Sequence, residues 1–400
     1  MLGIRSPYPA ILAACLGVFI AADDQTVVVT ILPSIMSEFR LGINELDQVS
    51  WTITGYLLGY TCVMPLMGRV SDVYGHRRVY LLAMGIFLVG SVLVAVAQNL
   101  PTLVAFRVFQ AVGGGAVVPV TIALTGALLP PERRAAALGL VGASAEAGGV
   151  IGPLWGGLID RVLDWRWVFW VNVPLVAITV VLLLLLAPSG IRQPQKVDYR
   201  GGVLLALVLI VVTLSLSRWR DAPALAGGGL ALSGLLLFIY VLSQRKTSNP
   251  LTPSSLFRQA AFSAANGAHF LVGVALIIAM VTVPLMTDTV LGEEPLEGGL
   301  RLMRLTAAIP VGAVLGGLIA GRLGYRVPTG AGLLLSALGF YFLSGWELDI
   351  SDPVMTIHLI IVGLGFGLVI APIATAAINS VLKTDMGTAA ALLTVIRRPP

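Results

Sequence analysis

Charge is what this 400-residue sequence has least of: Asp, Glu, Lys and Arg together make up 11% of it. A globule in water carries about a quarter of its residues as charges to cover its surface. A water-soluble fold is therefore excluded. Cysteine is almost absent. Cys15 and Cys62 each sit inside an apolar run, which excludes a disulfide framework. Three histidines and those two cysteines leave too few nitrogen and sulfur ligands for a metal centre. No nucleophile–base pair or cofactor loop stands out, so no cofactor and no enzyme chemistry are expected. The net charge of +5 is small, and its basic residues fall between apolar runs rather than in one patch. Nucleic acid is not the expected partner. A lipid bilayer is.

What the sequence has is hydrophobicity, 57% of all residues, together with 45 Gly and 23 Pro that lie largely within apolar stretches. Membrane helices tolerate both residue types. A helix crosses the bilayer core with about 20 apolar residues. Twelve such spans are expected: Pro9–Ile31, Trp51–Gly68, Val79–Ala97, Leu103–Leu129, Ala135–Leu158, Trp167–Ala187, Gly202–Leu216, Leu225–Leu242, Phe262–Leu285, Leu300–Ala320, Pro328–Leu343 and Val354–Ile378. A further run opens near Thr388 and is cut off at Pro400, so the second half is expected to be C-terminally incomplete. The first run is too long, and too acidic at Asp23 and Asp24, for a cleaved signal peptide.

Loop charges set the expected orientation, because Lys and Arg accumulate on the cytoplasmic side. One side holds Arg5, Arg69, Arg77, Arg78, Arg133, Arg134, Arg192, Lys196, Arg200, Arg245, Lys246, Arg258, Arg322, Arg326 and Lys383. The other holds Arg40, Arg161, Arg166, Arg218 and Arg220. A multi-pass protein of the inner or plasma membrane with a cytoplasmic N-terminus follows.

The chain also repeats. Gly68-Arg-Val-Ser-Asp72-Val-Tyr-Gly75-His-Arg77 lies between spans two and three, and Gly317-Leu-Ile-Ala-Gly321-Arg-Leu-Gly324-Tyr-Arg326 between spans ten and eleven. Gly, Gly and Arg recur at the same offsets, but the second copy has no Asp. Two related halves with a site at their interface are a transporter pattern. The expected division is a six-helix bundle over 1–190, two linker helices within 191–260, and a partial second bundle over 261–400.

Few ionisable residues remain at membrane depth: Asp23, Asp24, Arg107, Glu146, His269, His358 and Arg397. Each costs about 2.5–3.5 kcal/mol to insert on translocon scales, so each should face the bundle interior or a wet cavity. Asp24 and Glu146 are the candidate proton carriers, since a carboxyl among apolar walls can trade its charge for a proton. Asp23 and Asp24 point about 100° apart on a helix, so both cannot face one cavity equally. Arg107 keeps its charge and must pair, with Asp24 or with Glu146. Arg397 is expected to serve the same way in the second half. The alternative for each is a fixed ion pair.

Gly148, Gly149, Gly152, Gly156 and Gly157 share span five with Pro153. Their small-xxx-small spacing allows close helix contact, here expected as a movable seam between the halves. Tyr56, Tyr60 and His269 are expected to line the cargo cavity. Trp51, Trp165, Trp167, Trp170, Trp219 and Trp346 fall near span ends, as an interfacial belt does.

Five of these segments together carry a family resemblance. Gly68–Arg78 resembles the loop motif G-x-x-x-D-x-x-G-R-R of the major facilitator superfamily, with His76 in a usually basic place. Asp24-Gln-Thr26-Val-Val-Val-Thr-Ile-Leu32-Pro33 is similar to its first-span motif. Arg107-Val-Phe-Gln110-Ala-Val-Gly113 resembles the fourth-span motif, with Ala111 replacing a Gly, and Gly148–Gly157 the fifth-span antiporter motif. Trp165-Arg-Trp-Val-Phe-Trp-Val-Asn172-Val-Pro174 looks like the start of the sixth span in the fourteen-span drug:proton antiporters. Within that group, Tyr56–Tyr60, Met64–Gly68, Ala145–Gly149 and Arg397 are similar to a mycobacterial branch that exports triacylglycerides with an extracytoplasmic lipoprotein. The resemblance implies an all-α major facilitator fold, two six-helix pseudo-repeats with two extra linker helices. It also implies proton-coupled export of hydrophobic or amphiphilic small molecules by alternating access. Arg107 would hold and release a carboxylate, and Asp72 with Arg77 and Arg78 would latch one access state. The loop Gly345–Pro353 is shorter than in the lipid-exporting branch, so drug-like cargo is the first expectation; the alternatives are lipid cargo with its lipoprotein, or a transport-dead membrane receptor or scaffold, against which the intramembrane carboxylates speak.

Overall fold

The computed structural model describes residues 6–42, 45–188, 196–219, 221–292, 295–347 and 350–397. Arg5, Arg192, Arg220 and the Pro399–Pro400 end lie outside these. The described residues form helices throughout, and eleven of the helices are long and apolar enough to cross a membrane.

The first span is not one rod. It is α1 (Tyr8–Thr26) followed by α2 (Val28–Glu38). At this break Asp24 O, which would accept from Val28 N in an unbroken helix, accepts from Arg107 Nη2 at 3.0 Å. The chain tightens instead, with Thr30 N–H on Val27 O at 3.3 Å. Asp23 and Asp24 lie on the last turn before this break. α3 (Leu46–Tyr74) is 29 residues, about 43 Å at 1.5 Å per residue, so it overshoots the span expected within it. α4 (His76–Ala95), α5 (Leu100–Leu128), α6 (Pro131–Val162) and α7 (Arg166–Leu186) complete a first group. α5 is its axis: it packs on α3, α4, α1 and α6, and it is buried over most of its length.

α8 (Tyr199–Ser217) and α9 (Pro223–Lys246) pair with each other, and α8 leans on α3. Most of their surface is exposed, as lipid-facing helices require. After the short α10 (Ser254–Phe257), the second group holds α11 (Ala260–Leu285), α12 (Pro295–Leu323), α13 (Arg326–Ser344), α14 (Asp352–Asn379) and α15 (Met386–Arg397). Each of the twelve expected spans has its helix, and α15 stands where the run near Thr388 opens.

The sequence repeat has a backbone counterpart. Gly75 ends α3 at φ 94°, and Gly324 follows α12 at φ 74°. This is the left-handed region that suits glycine, so the same sharp turn recurs in both groups. The Trp belt holds only in part. Trp51, Trp167 and Trp219 are exposed, but Trp165 is buried, because its indole N–H donates to Glu38 Oε2 at 2.6 Å and its ring meets Phe39 and Phe169 edge-on.

Candidate functional site

Two polar assemblies occupy the membrane interior, and a third links the groups at one end. The first is a hub inside the first group. Asp24 and Arg107 are both fully buried. The Arg107 Nη1 donates to Asp24 Oδ2 at 2.5 Å and to Gln110 Oε1 at 2.7 Å, and its Nη2 donates to Asp24 O at 3.0 Å. Asp24 Oδ1 accepts from Gln110 Nε2 at 3.0 Å and from Asn172 Nδ2 at 3.1 Å. Gln110 also donates to Ser91 Oγ at 2.8 Å. Tyr56 lies under the guanidinium, 3.9 Å from its carbon to the ring centroid, with Phe169 at 5.5 Å. Side chains of α1, α3, α4, α5 and α7 thus meet at one charge pair. Three donors converge on the Asp24 carboxylate, which is acceptor-only when ionised.

The second assembly joins the groups. Arg397 Nη2 on α15 donates to Glu146 Oε1 on α6 at 2.6 Å, with the side chains 12% and 14% exposed. Arg107 therefore pairs with Asp24 and leaves Glu146 to Arg397. A cavity of about 40 Å³ lies beside this pair, walled by apolar residues of α5, α6 and α14 and by His269, Thr394 and Arg397. It has room for water and none for a drug-sized ligand, which needs about 300–1,000 Å³. His269 lines this cavity. Tyr56 and Tyr60 stack at 5.9 Å and pack with Met64, Ala111 and Val395. Arg107 draws Tyr56 into its own cage, a pull that the hydropathy of α3 does not encode.

The third assembly lies at the turn side. Asp72, buried at the end of α3, accepts from Gly387 N at 2.6 Å, Thr388 N at 2.9 Å and Thr388 Oγ1 at 2.9 Å. A carboxylate on the free N–H groups of the α15 N-terminus is favoured by the helix dipole. The approach needs Gly68: a Cβ there would lie 2.3 Å from Gly387 O. Arg77 donates to Leu184 O at 2.6 Å, and Arg78 is exposed. Arg69 to Asp385 at 3.1 Å and Arg134 to Asn379 at 2.7 Å also bridge the groups. Sequence reasoning had counted these two arginines only as loop charge. Their partners lie over 200 residues away, and no local pattern signals them. Gln110, Asn172 and Ser91 were likewise missed as hub members, although an amide or hydroxyl in an apolar run is a usable signal.

The glycines of α6 require a correction. A Cβ on Gly148 would meet Phe19 O at 2.3 Å, one on Gly152 Thr26 Oγ1 at 2.3 Å, and one on Gly156 Val27 Cγ2 at 2.6 Å. This seam lies between α6 and the α1–α2 span, inside the first group. Gly149 and Gly157 have open space around them, and Pro153 is half-buried. The seam between groups uses other glycines: a Cβ on Gly139 would lie 2.7 Å from Ala313 O, and one on Gly317 2.6 Å from Ala135 O. Small-residue spacing announces a close contact without saying with which helix.

Comparison with known proteins follows this geometry. The sequence matches the Major Facilitator Superfamily over residues 14–398. It is 38% identical to a triacylglyceride transporter of Mycobacteroides abscessus, across 99% of this chain and 80% of that one. It is 37% identical to a triacylglyceride transporter of Mycobacterium tuberculosis strain H37Rv, across 97% and 79%. Among solved structures, the human organic anion transporter MFSD10 aligns with a TM-score of 0.70 at 17% identity, over 98% of this chain and 91% of that one. The proton:xylose symporter XylE aligns at 0.70 and 15%, over 98% and 86%. These two speak for the fold alone. With its helices, its repeated turn and its matched length all in agreement, this multi-pass membrane chain belongs to the Major Facilitator Superfamily of transporters.

Proposed function

We propose that the chain exports triacylglyceride-like lipid by alternating access, driven by protons. The observation that carries this reading is the Glu146–Arg397 pair, a carboxylate and a guanidinium at membrane depth that belong to different helix groups. An ion pair inside one rigid body cannot sense rocking. One that spans two bodies breaks when they part. A proton arriving on Glu146 removes its charge, weakens its hold on Arg397 and eases separation of the groups. Parting of the groups in turn alters how Glu146 holds a proton, because such coupling is reciprocal.

The N-terminus and the α3–α4 turn are cytoplasmic in this reading. The links Asp72–α15, Arg69–Asp385 and Arg134–Asn379 then close the cytoplasmic side, with Asp72 and the Gly75 turn acting as the latch. Residues 1–190 and 261–400 are the rocking units, and α8 and α9 ride outside them. Asp24 with Arg107 stays paired inside the first group and holds its helices together as that group rocks. The names of the relatives support lipid cargo, as do the apolar walls between the groups. The cavity is too small for lipid in this conformation, so the cargo path belongs to the opened state.

A second reading, export of amphiphilic drugs, rests on the seven-residue connection 345–351 between α13 and α14, which leaves little outer surface for a lipid to be handed over. Proteoliposomes test both. A fluorescent triacylglyceride is followed by its exposure to an external quencher, and ethidium by its movement, each with and without a pH gradient. Gradient-dependent exposure of the triacylglyceride supports the first reading, and gradient-dependent ethidium movement alone supports the second. No gradient-dependent gain over protein-free vesicles with either probe defeats both.

A further inference from the structure

Asp23 is a buried carboxyl that the mechanism above does not use. It is 7% exposed, and its Oδ1 is buried without a hydrogen-bond partner. Among the described residues no Lys, Arg or His forms an ion pair with it. Its neighbour Asp24 takes the guanidinium of Arg107 and two amide donors besides. Two negative charges on consecutive residues would share one positive charge in an interior where an unpaired ion loses its hydration without compensation. A group in that position neutralises.

The surroundings supply nothing to offset the charge. On its own helix the next group is Asp24, already negative. On α5 the charged group is Arg107, committed to Asp24. On α6 it is Glu146, committed to Arg397. α7 offers Asn172, which also serves Asp24. α3 offers the phenols of Tyr56 and Tyr60, and α2 carries its charge, Glu38, at its far end.

We propose that Asp23 holds a proton in this conformation and is a second proton site of the transporter, distinct from the Asp24–Arg107 and Glu146–Arg397 pairs. Its placement suits exchange. Asp23 lies on the last turn of α1, and the seam with α6 passes over its own backbone: a Cβ on Gly148 would sit 2.9 Å from Asp23 N, and one on Gly152 2.7 Å from Asp23 O. Only glycine on α6 lets α1 lie this close. When α1 shifts on α6 and water reaches the carboxyl, the O–H bond breaks, the proton passes to water, and the carboxylate is hydrated rather than stranded. The carrier role rests on the proton-coupled reading given above. The protonation does not, since it follows from the cargo-free geometry.

Infrared spectroscopy of the full chain in lipid nanodiscs, without cargo, tests it at neutral pH. A protonated carboxyl has a C=O band separate from that of a carboxylate. The wild-type protein should show such a band, and carboxyl-labelled aspartate should shift it while labelled glutamate does not. Asp23→Asn should remove it with the unfolding temperature nearly unchanged, because a neutral amide replaces a neutral acid. Asp72→Asn should leave it in place. A band that is missing from the wild type, fails to shift with labelled aspartate, or survives Asp23→Asn overturns the proposal. If Asp23→Asn does not fold, Asp23→Glu decides: the band should then shift with labelled glutamate, and a band that still shifts only with labelled aspartate overturns the proposal. Because no cargo is present, failure of the transport assay and failure of this one are told apart.

Discussion

The hub around Asp24 and the joint around Glu146 contain the same chemistry, a carboxylate and an arginine in apolar surroundings, and differ in what they connect. Asp24 is held by three side-chain donors from two helices of its own group, and neither it nor Arg107 is exposed. Glu146 has one recorded bond, to a helix of the other group, beside a cavity that can hold water. Satisfied buried networks rigidify, whereas a single bond across a wet boundary can be exchanged. The comparison separates a part that keeps a bundle in shape from a part that lets two bundles come apart.

Removing Arg107 should have the largest effect. Arg107→Ala strands Asp24 among apolar walls, and breaking one side of a buried pair costs about 3–5 kcal/mol. Thermal unfolding in detergent should show a large loss, or no monodisperse protein at all. Asp24→Asn combined with Arg107→Gln should recover much of it, because no charge is then left unpaired. Wild-type stability in Arg107→Ala would mean that the hub does not hold the bundle.

Gly68→Val should come next, and it acts on the joint alone. Its Cβ would fall 2.3 Å from Gly387 O and 2.5 Å from Ala391 Cβ. Both are fixed by a helix, so α3 and α15 must separate. Overpacking of this kind costs about 1–3 kcal/mol, here charged to the closed state. Disulfide cross-linking between cysteines placed on α3 and α15 near this crossing should fall several-fold while the unfolding temperature moves little. Unchanged cross-linking would show that the crossing tolerates a side chain.

The order of these effects was only partly legible in the sequence. Apolar runs near 20 residues located every span, because the bilayer enforces that length whatever the tertiary structure. The Gly75 and Gly324 turns were legible because a positive φ selects glycine locally. Partners were not. Asp72 and Gly387 are 315 positions apart, and nothing in the periodicity around either names the other. The seam of Gly148, Gly152 and Gly156 was assigned to the wrong boundary for the same reason. Trp165 was read as a belt residue because its burial depends on Glu38, which reaches it from another span. Local physics placed the helices and the isolated charges, and the assembly chose which charges meet.

Asp72→Asn sharpens the comparison with a smaller change. Asparagine keeps the shape and can still accept through its carbonyl oxygen. It loses the charge that the α15 N-terminus favours, which is worth about 0.3–1 kcal/mol, or up to about 2 when partly buried. The second turn is a built-in control, since Gly321 stands there in place of the Asp and has open space around it. Cross-linking at the α3–α15 crossing should drop about two- to tenfold, while cross-linking between α6 and α12 near Gly139 and Gly317 should hardly change. Equal losses at both crossings would mean that the groups part as one rigid front and that the latch has no private effect.

Glu146→Gln should change stability least of the four. The amide oxygen can still accept from Arg397, and Arg397 is 12% exposed beside a cavity that holds water, so its charge is not stranded as Arg107 would be. A change of under about 1.5 kcal/mol is expected, toward the low end for a hydrogen bond to a charged group. What should vanish is a response. On the proposed reading a proton taken up by Glu146 loosens the joint, so wild-type cross-linking between α6 and α15 should weaken as pH falls. Glutamine cannot take that proton, and its cross-linking should be flat over the same range. The hub supplies the contrast, because cysteine pairs placed on α5 and α7 beside it should be insensitive to pH in both proteins. If α6–α15 cross-linking in Glu146→Gln still follows pH as in the wild type, the titrating group of the joint is another one. Asp72 is then the nearest candidate, since it is the other buried carboxylate that reaches α15, and Asp72→Asn in the Glu146→Gln background would abolish what remained.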